Sequence, residues 1–277
     1  MSDKTKIEPE GDFLAPKKVP QTKSNRHNEA VDENHSASAS ASKEHDKRSG
    51  TPFRPMHRPK VPILIVLDDG HSDHGEKIRL REKTTTIGRS DSHVCIPHDS
   101  QLSKQHAEII RVGDTADAFW KLRDLGSVNK TFIRCRELVL QSESRFILGS
   151  HFFCFRPAGI LEASGFDGDK TTTAVRLPNP KELSPSLVCE SEGSGIEDLL
   201  LTKKHISIGR PNCGNDAEID DELLADKHAE IKQSPDGSWR LLSLSSQNGI
   251  WAEIDELRLS QKCRFRCGEQ QFLFVLT

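Results

Sequence analysis

Ile87-Gly88-Arg89-Ser90, then Ser103-Lys104-Gln105-His106-Ala107-Glu108-Ile109, then Leu125-Gly126-Ser127-Val128-Asn129-Lys130-Thr131 form three blocks that recur farther along the chain. The second set reads Ile208-Gly209-Arg210-Pro211, Ala225-Asp226-Lys227-His228-Ala229-Glu230-Ile231 and Leu244-Ser245-Ser246-Gln247-Asn248-Gly249-Ile250. The offset is 121 residues from Arg89 to Arg210, 122 from His106 to His228 and 119 from Asn129 to Asn248. A spacing held through three separated blocks marks an internal duplication. The positions at which the copies differ then decide what each can do.

Around these blocks the chain reads as short strands. Ile63–Leu67, Thr84–Ile87, His106–Ile110, Phe119–Leu122, Thr131–Ile133, Arg145–Leu148 and Phe152–Phe155 are rich in β-branched and aromatic residues, with turn residues such as Asp69-Gly70 and Gly149-Ser150 between them. Leu187–Glu190, His205–Ile208, Lys227–Lys232, Trp239–Leu244, Ile250–Ile254 and Gln271–Leu276 repeat the series. No long segment has a 3.6-residue period. Regular short strands with this punctuation predict an all-β chain of two sandwiches. Residues 1–60 hold few aliphatic core formers and a Ser/Ala run, Ser36 to Ser42, which predicts a disordered arm. The expected organisation is an arm (1–60), a first sandwich (61–157), a linker rich in Gly, Pro, Asp and Thr (158–184) and a second sandwich (185–277).

Charge excludes several partners. Residues 1–60 carry 12 Lys/Arg against 9 Asp/Glu, residues 61–157 carry 14 against 13, and the rest carry 13 against 20. A second half with net charge −7 does not attract nucleic acid through its bulk field. No apolar run approaches the 18 residues or so of a membrane span, and the N-terminus shows no signal-peptide core, so a cytoplasmic protein is expected. The seven Cys include one close pair, Cys263 and Cys267, with no second pair at a metal-ligand spacing. Reduced, strand-borne thiols and no metal are expected. His71, His74 and His98, scattered among Asp residues, read as a hydrated loop.

The first copy assembles chemistry suited to a phosphate. A guanidinium offers a planar fork to two oxygens and stays charged at cellular pH. Ser103 adds a hydroxyl donor and Lys104 a full charge beside it. Asn129 carries both a donor and an acceptor, which fits the main chain of an extended peptide. Any one of these is an ordinary turn or capping residue, and His106 by itself suits a loop brace better than an acid–base catalyst. Their order, spacing and repetition favour a site.

Gly-Arg, Ser-x-x-His about fourteen residues on, and Asn followed by Thr resemble the forkhead-associated (FHA) domain, a reader of phosphorylated motifs. The likeness covers roughly residues 61–157 and, more loosely, 185–277. It implies tandem β-sandwiches of about eleven strands, with phosphothreonine peptides bound by loops at one end. By position, Arg89 and Ser103 hold the phosphate, Lys104 assists, and Asn129 holds the peptide main chain. His106 braces the loop, Gly88 allows the tight turn, and Thr131 is structural. Gln101 is a candidate for reading residues beyond the phosphothreonine. Lys130 departs from the family, which usually has Gly there; Gly serves positive φ, and Lys would be strained.

In the second copy Arg210, His228 and Asn248-Gly249 persist, but Ala225 replaces the Ser and Asp226 the Lys. A lost hydroxyl costs ~1–3 kcal/mol. A carboxylate ~5 Å from a phosphate adds about 3 kcal/mol of repulsion per unit charge at an effective dielectric near 20. This copy is expected to be degenerate, packing against something or binding an unphosphorylated partner. The expected function is a non-enzymatic phosphothreonine-peptide module in Ser/Thr kinase signalling, without cofactors. Its partners would be phosphorylated proteins, or its own arm or linker phosphorylated at Thr5, Thr22, Thr51 or Thr171–Thr173 by an upstream kinase. The alternative is a phospho-independent scaffold or oligomerisation protein. An enzyme is not expected: no phosphate-cradling Gly loop and no nucleophile–base signature is present.

Overall fold

The computed structural model describes residues 7–9, 61–113, 117–159, 183–191, 193–244 and 247–276. The arm outside residues 7–9 and most of the linker, with Thr5, Thr22, Thr51 and Thr171–Thr173, lie outside the described residues. Apart from a helical position at Leu183 beside the undescribed linker, the regular elements among the described residues are β-strands. In the first half they are β1 (Ile7–Pro9), β2 (Ile63–Leu67), β3 (Gly75–Arg79), β4 (Thr84–Gly88), β5 (Val94–Cys95), β6 (Ala107–Val112), β7 (Phe119–Asp124), β8 (Thr131–Leu140), β9 (Arg145–Leu148) and β10 (His151–Arg156). In the second half they are β11 (Ser186–Cys189), β12 (Leu199–Leu200), β13 (His205–Gly209), β14 (Ala217–Glu218), β15 (Ala229–Gln233), β16 (Trp239–Ser243), β17 (Ile250–Ile254), β18 (Glu256–Arg258), β19 (Lys262–Cys267) and β20 (Gln270–Val275).

The all-β expectation holds, and each expected strand is present to within two residues at either end, except that the one expected over Thr131–Ile133 runs on to Leu140 as β8. The additions have local causes. The stretch after His74 is a strand, β3, not loop throughout: it pairs with β2, and Gly75 there lets the Val66 carbonyl come to 1.8 Å from where a Cβ would stand. β19 hides behind its charges, yet Cys263, Phe265 and Cys267 alternate inward between Lys262, Arg264 and Arg266. Within the arm, Ile7–Pro9 pairs with Cys135–Leu138 of β8.

Strand pairing crosses between the two halves in both directions. One sheet runs β18-β7-β6-β4-β5, so a strand of the second half closes four of the first. The other sheet includes β3-β2-β20-β19, where the last hairpin of the chain lies beside β2. Conversely, β11 of the second half pairs with β10 of the first, and β16 with the end of β8. At the centre β8 and β17 run antiparallel, with Thr131 opposite Ile254, Ile133 opposite Ala252 and Cys135 opposite Ile250. Residue i and residue i+119 are equivalent, so this ladder is self-complementary, as across a two-fold axis. Each sandwich is therefore built from strands of both halves.

The core follows the same plan. Leu64, Ile87, Ile109 and Leu122 of the first half join Phe265, Phe272 and Phe274 of the second in one cluster. The Trp120 and Phe274 rings lie 6.4 Å apart, and Phe265 stacks on Phe272 at 5.0 Å. Side-chain pairs repeat by the same offset. Lys121 pairs with Glu256 at 3.0 Å, and Arg240 pairs with Glu137.

Candidate phosphopeptide site

The loops after β4, before β6 and after β7 meet at one end of the first sandwich. The Arg89 N–H donates to the Ser103 carbonyl at 2.9 Å and the Ser90 N–H to the Lys104 carbonyl at 3.3 Å, so the Arg and Ser/Lys loops are laced by backbone. A Cβ on Gly88 would stand 2.1 Å from the Lys104 carbonyl oxygen; glycine here permits close approach of the two loops. Among the described residues the Arg89 guanidinium and the exposed Lys104 ammonium make no hydrogen bond or ion pair. The Ser103 Oγ accepts the Val128 N–H at 3.2 Å, which leaves its own hydrogen free to donate. Asn129 lies across the same end, its amide nitrogen donating to the Gln101 carbonyl at 2.9 Å and to Gln101 Oε1 at 2.7 Å. Val128 beside it is 85% exposed.

His106 is fully buried beneath these loops. Its Nδ1 accepts the Ser103 N–H at 3.2 Å, and its Nε2 meets the Lys130 carbonyl at 3.1 Å. That pattern requires the neutral ring with hydrogen on Nε2. Burial accordingly pushes its pKa below the ordinary histidine value. Thr131 donates to Asp124 Oδ2 at 2.7 Å, and Asp124 also takes the Ser127 N–H at 2.8 Å and hydroxyl at 2.6 Å. Burial alone would raise the Asp124 carboxyl; the Ser127 and Thr131 hydrogen bonds outweigh it and hold the pKa below the usual carboxylate value. Lys130 has φ +61°, the left-handed conformation that its equivalent Gly249 adopts with φ +64°.

The second set of loops keeps the scaffold and changes the chemistry. His228 repeats the brace, taking the Ala225 N–H at 3.2 Å and meeting the Gly249 carbonyl at 2.9 Å. Arg210, however, donates internally, to the Glu222 carbonyl at 2.6 Å. Asp226 is exposed where Lys104 stands in the first set, and Leu223, 49% exposed, takes the place of Gln101. Asn248 donates to the Leu223 carbonyl at 2.7 Å. Asp124 and Thr131 have become Ser243 and Ile250, and the buried Ser243 Oγ has no hydrogen-bond partner among the described residues.

The structure thus brings Arg89, Ser103, Lys104 and Asn129 to one end, with Gly88, His106 and Thr131 supporting them. Sequence reasoning passed over Asp124 and Ser127, the anchor of the Asn129 loop. An Asp three residues before Ser, with Gly between, is the available signal for such a turn. No group of three or more His, Cys, Asp or Glu suited to a metal ion occurs among the described residues.

A model of the FHA domain family matches residues 85–149 and again residues 206–268. No curated protein sequence matches the chain. Solved structures align with it in part. One, described as "Structural and functional analysis of phosphothreonine-dependent FHA domain interactions", is 14% identical over 78% of this chain and 97% of its own, with a TM-score of 0.30. The Slr1951 protein from Synechocystis sp. is 29% identical over 28% of this chain and 87% of its own, with a TM-score of 0.22. Mycobacterium tuberculosis EmbR, solved in complex with a low affinity phosphopeptide, is 24% identical over 35% of this chain and 24% of its own, with a TM-score of 0.23. The two family matches fall on the two halves of the duplication, and the chain is a tandem FHA-domain protein.

Proposed function

We propose that the chain is a non-enzymatic reader of phosphothreonine peptides in Ser/Thr kinase signalling, acting through Arg89, Ser103, Lys104 and Asn129. The observation that supports this best is the contrast between two equivalent arginines. The Arg89 guanidinium has no internal partner among the described residues, and its loop is laced by backbone to the one that carries Ser103 and Lys104. Arg210 donates to a carbonyl, and its loop is joined by backbone to the one that carries Ala225 and Asp226. A scaffold that bound no phosphate would have no use for the first arrangement.

Charge-assisted hydrogen bonds contribute roughly 1.5–3 kcal/mol each. Three or four of them, set against association costs, fit a complex of about −8 kcal/mol, which is micromolar. The threonine methyl should add about 1 kcal/mol over phosphoserine. The partners are proteins bearing phosphothreonine, or the chain's own arm or linker after phosphorylation, in a cytoplasmic setting. Among the described residues no helix is long and apolar enough to cross a membrane. The test is a fluorescence-anisotropy titration of the full chain with matched phosphothreonine, phosphoserine and unmodified peptides. Phosphothreonine should bind near micromolar, Arg89→Ala should lose at least ten-fold, and Arg210→Ala should change nothing. Equal binding by the Arg89→Ala chain sinks the reading in favour of a phospho-independent scaffold.

A further inference from the structure

The degenerate half has a role that its own loops do not explain. Asp99 is buried at the base of the loop that carries Gln101 and Ser103. Its Oδ1 accepts the Gln101 N–H at 2.8 Å. Its Oδ2 accepts the N–H groups of Glu269 and Gln270, at 2.9 and 3.2 Å, from the β19–β20 turn of the other half. Gly268 in that turn has φ +59°, and a Cβ on it would stand 2.7 Å from Asp99 Oδ2. The reciprocal clamp exists. Asp221 of the second half accepts the Ser150 N–H at 2.7 Å and its hydroxyl at 2.9 Å, beside Gly149 with φ +61°. One carboxylate per half thus grips the closing turn of the other.

We propose that the second half is the strand donor that completes the reading sandwich, and that its Gly268–Gln270 turn positions the Ser103 loop through Asp99. β18, β19 and β20 replace in the first sandwich the strands that β8, β9 and β10 carry to the second. The degenerate copy is then needed for phosphothreonine reading although its own loops read none. The proposal rests on the reader function of the first site, and its test separates the two.

Lys121 and Arg258 face each other across β7 and β18. The next pairs out are hydrogen-bonded, Asp124 N–H to the Asp255 carbonyl and Leu259 N–H to the Trp120 carbonyl, both at 2.8 Å. Alternation makes Lys121–Arg258 a non-hydrogen-bonded pair, with Cα atoms near 4.5 Å and within disulfide reach. The full chain carrying Lys121→Cys and Arg258→Cys, and a protease site inserted after Gly168, is oxidised, cleaved and run without reductant. Halves that stay covalently joined at the mass of one chain support the exchange. Halves that separate, or joining only between two chains, overturn it.

Positioning is read separately with Asp99→Ala and Asp221→Ala. Both should lower the melting temperature, but only Asp99→Ala should weaken a phosphothreonine peptide, by about ten-fold, with partial rescue in Asp99→Asn. Equal weakening by both variants, or by neither, refutes the positioning role. If the parent chain binds no phosphopeptide while the disulfide forms, the reader function fails and the strand exchange stands.

Discussion

At the scale of single residues, the two sets of loops are a natural comparison with most of the background held constant. Lys130 and Gly249 adopt the same left-handed conformation, and only the lysine strains there. Left-handed φ costs an L-residue roughly 1–2 kcal/mol, partly offset by the greater unfolded freedom of glycine. Lys130→Gly should therefore stabilise the chain by about 0.5–1 kcal/mol in thermal or urea unfolding; a destabilised variant would mean that the lysine side chain makes a compensating contact. The buried histidines set an acid limit. Their folded pKa values lie below the ordinary 6.5, so above that pH both folded and unfolded chains are neutral at these rings and stability is complete. As pH falls below 6.5 the unfolded rings take up protons while the folded ones resist, and stability is lost until the folded pKa is passed. Each ring contributes a slope of up to about 1.4 kcal/mol per pH unit in that window. Asp124, depressed below 3.8, acts in the same sense at much lower pH. Stability measured from pH 7 to 5 should fall, and His106→Gln should flatten the curve; an unchanged slope would contradict the buried neutral brace.

At the scale of strands and loops, the second set of loops differs from the first by more than the missing hydroxyl. Restoring Ala225→Ser and Asp226→Lys returns the donor and the charge, yet Arg210 remains held by the Glu222 carbonyl at 2.6 Å. The double variant should bind a phosphothreonine peptide in anisotropy at least ten-fold more weakly than the first site; affinity equal to the first site would show that the carbonyl contact yields freely. Much of this was legible beforehand. The strands β2, β9 and β17 follow from their apolar runs at the residues expected, and Arg89, Ser103 and Asn129 follow from block spacing. β3 and β19 were hidden because Lys, Arg and Glu occupy their outward positions, and the Asp99 clamp because its partners are backbone N–H groups, which no residue letter records. The pairing of β7 with β18, and of β10 with β11, was invisible for a different reason. A duplicated chain offers each strand two near-identical partners, and local pattern does not say which copy closes on which.

At the scale of the whole molecule, exchange makes the two halves mutually dependent. The β8–β17 ladder and the Lys121–Glu256 and Arg240–Glu137 pairs obey one offset of 119 residues, and the two carboxylate clamps repeat as well, with Asp99 and Asp221 122 residues apart. Surface ion pairs of this kind contribute little, about 0.2–1 kcal/mol each, so the shared apolar core carries the association. A duplication whose second copy lacks the Ser and Lys of the first can thus keep its strands under selection for the first copy's site. The central claim, that one end of one sandwich reads phosphothreonine, is tested most directly by amide NMR of the labelled full chain titrated with a phosphothreonine peptide. Shifts should concentrate at residues 88–92, 101–105 and 127–130, extend weakly to 268–270, and leave 209–213, 223–227 and 247–249 in place. Shifts centred on the second set of loops, or none at saturating peptide, would contradict it.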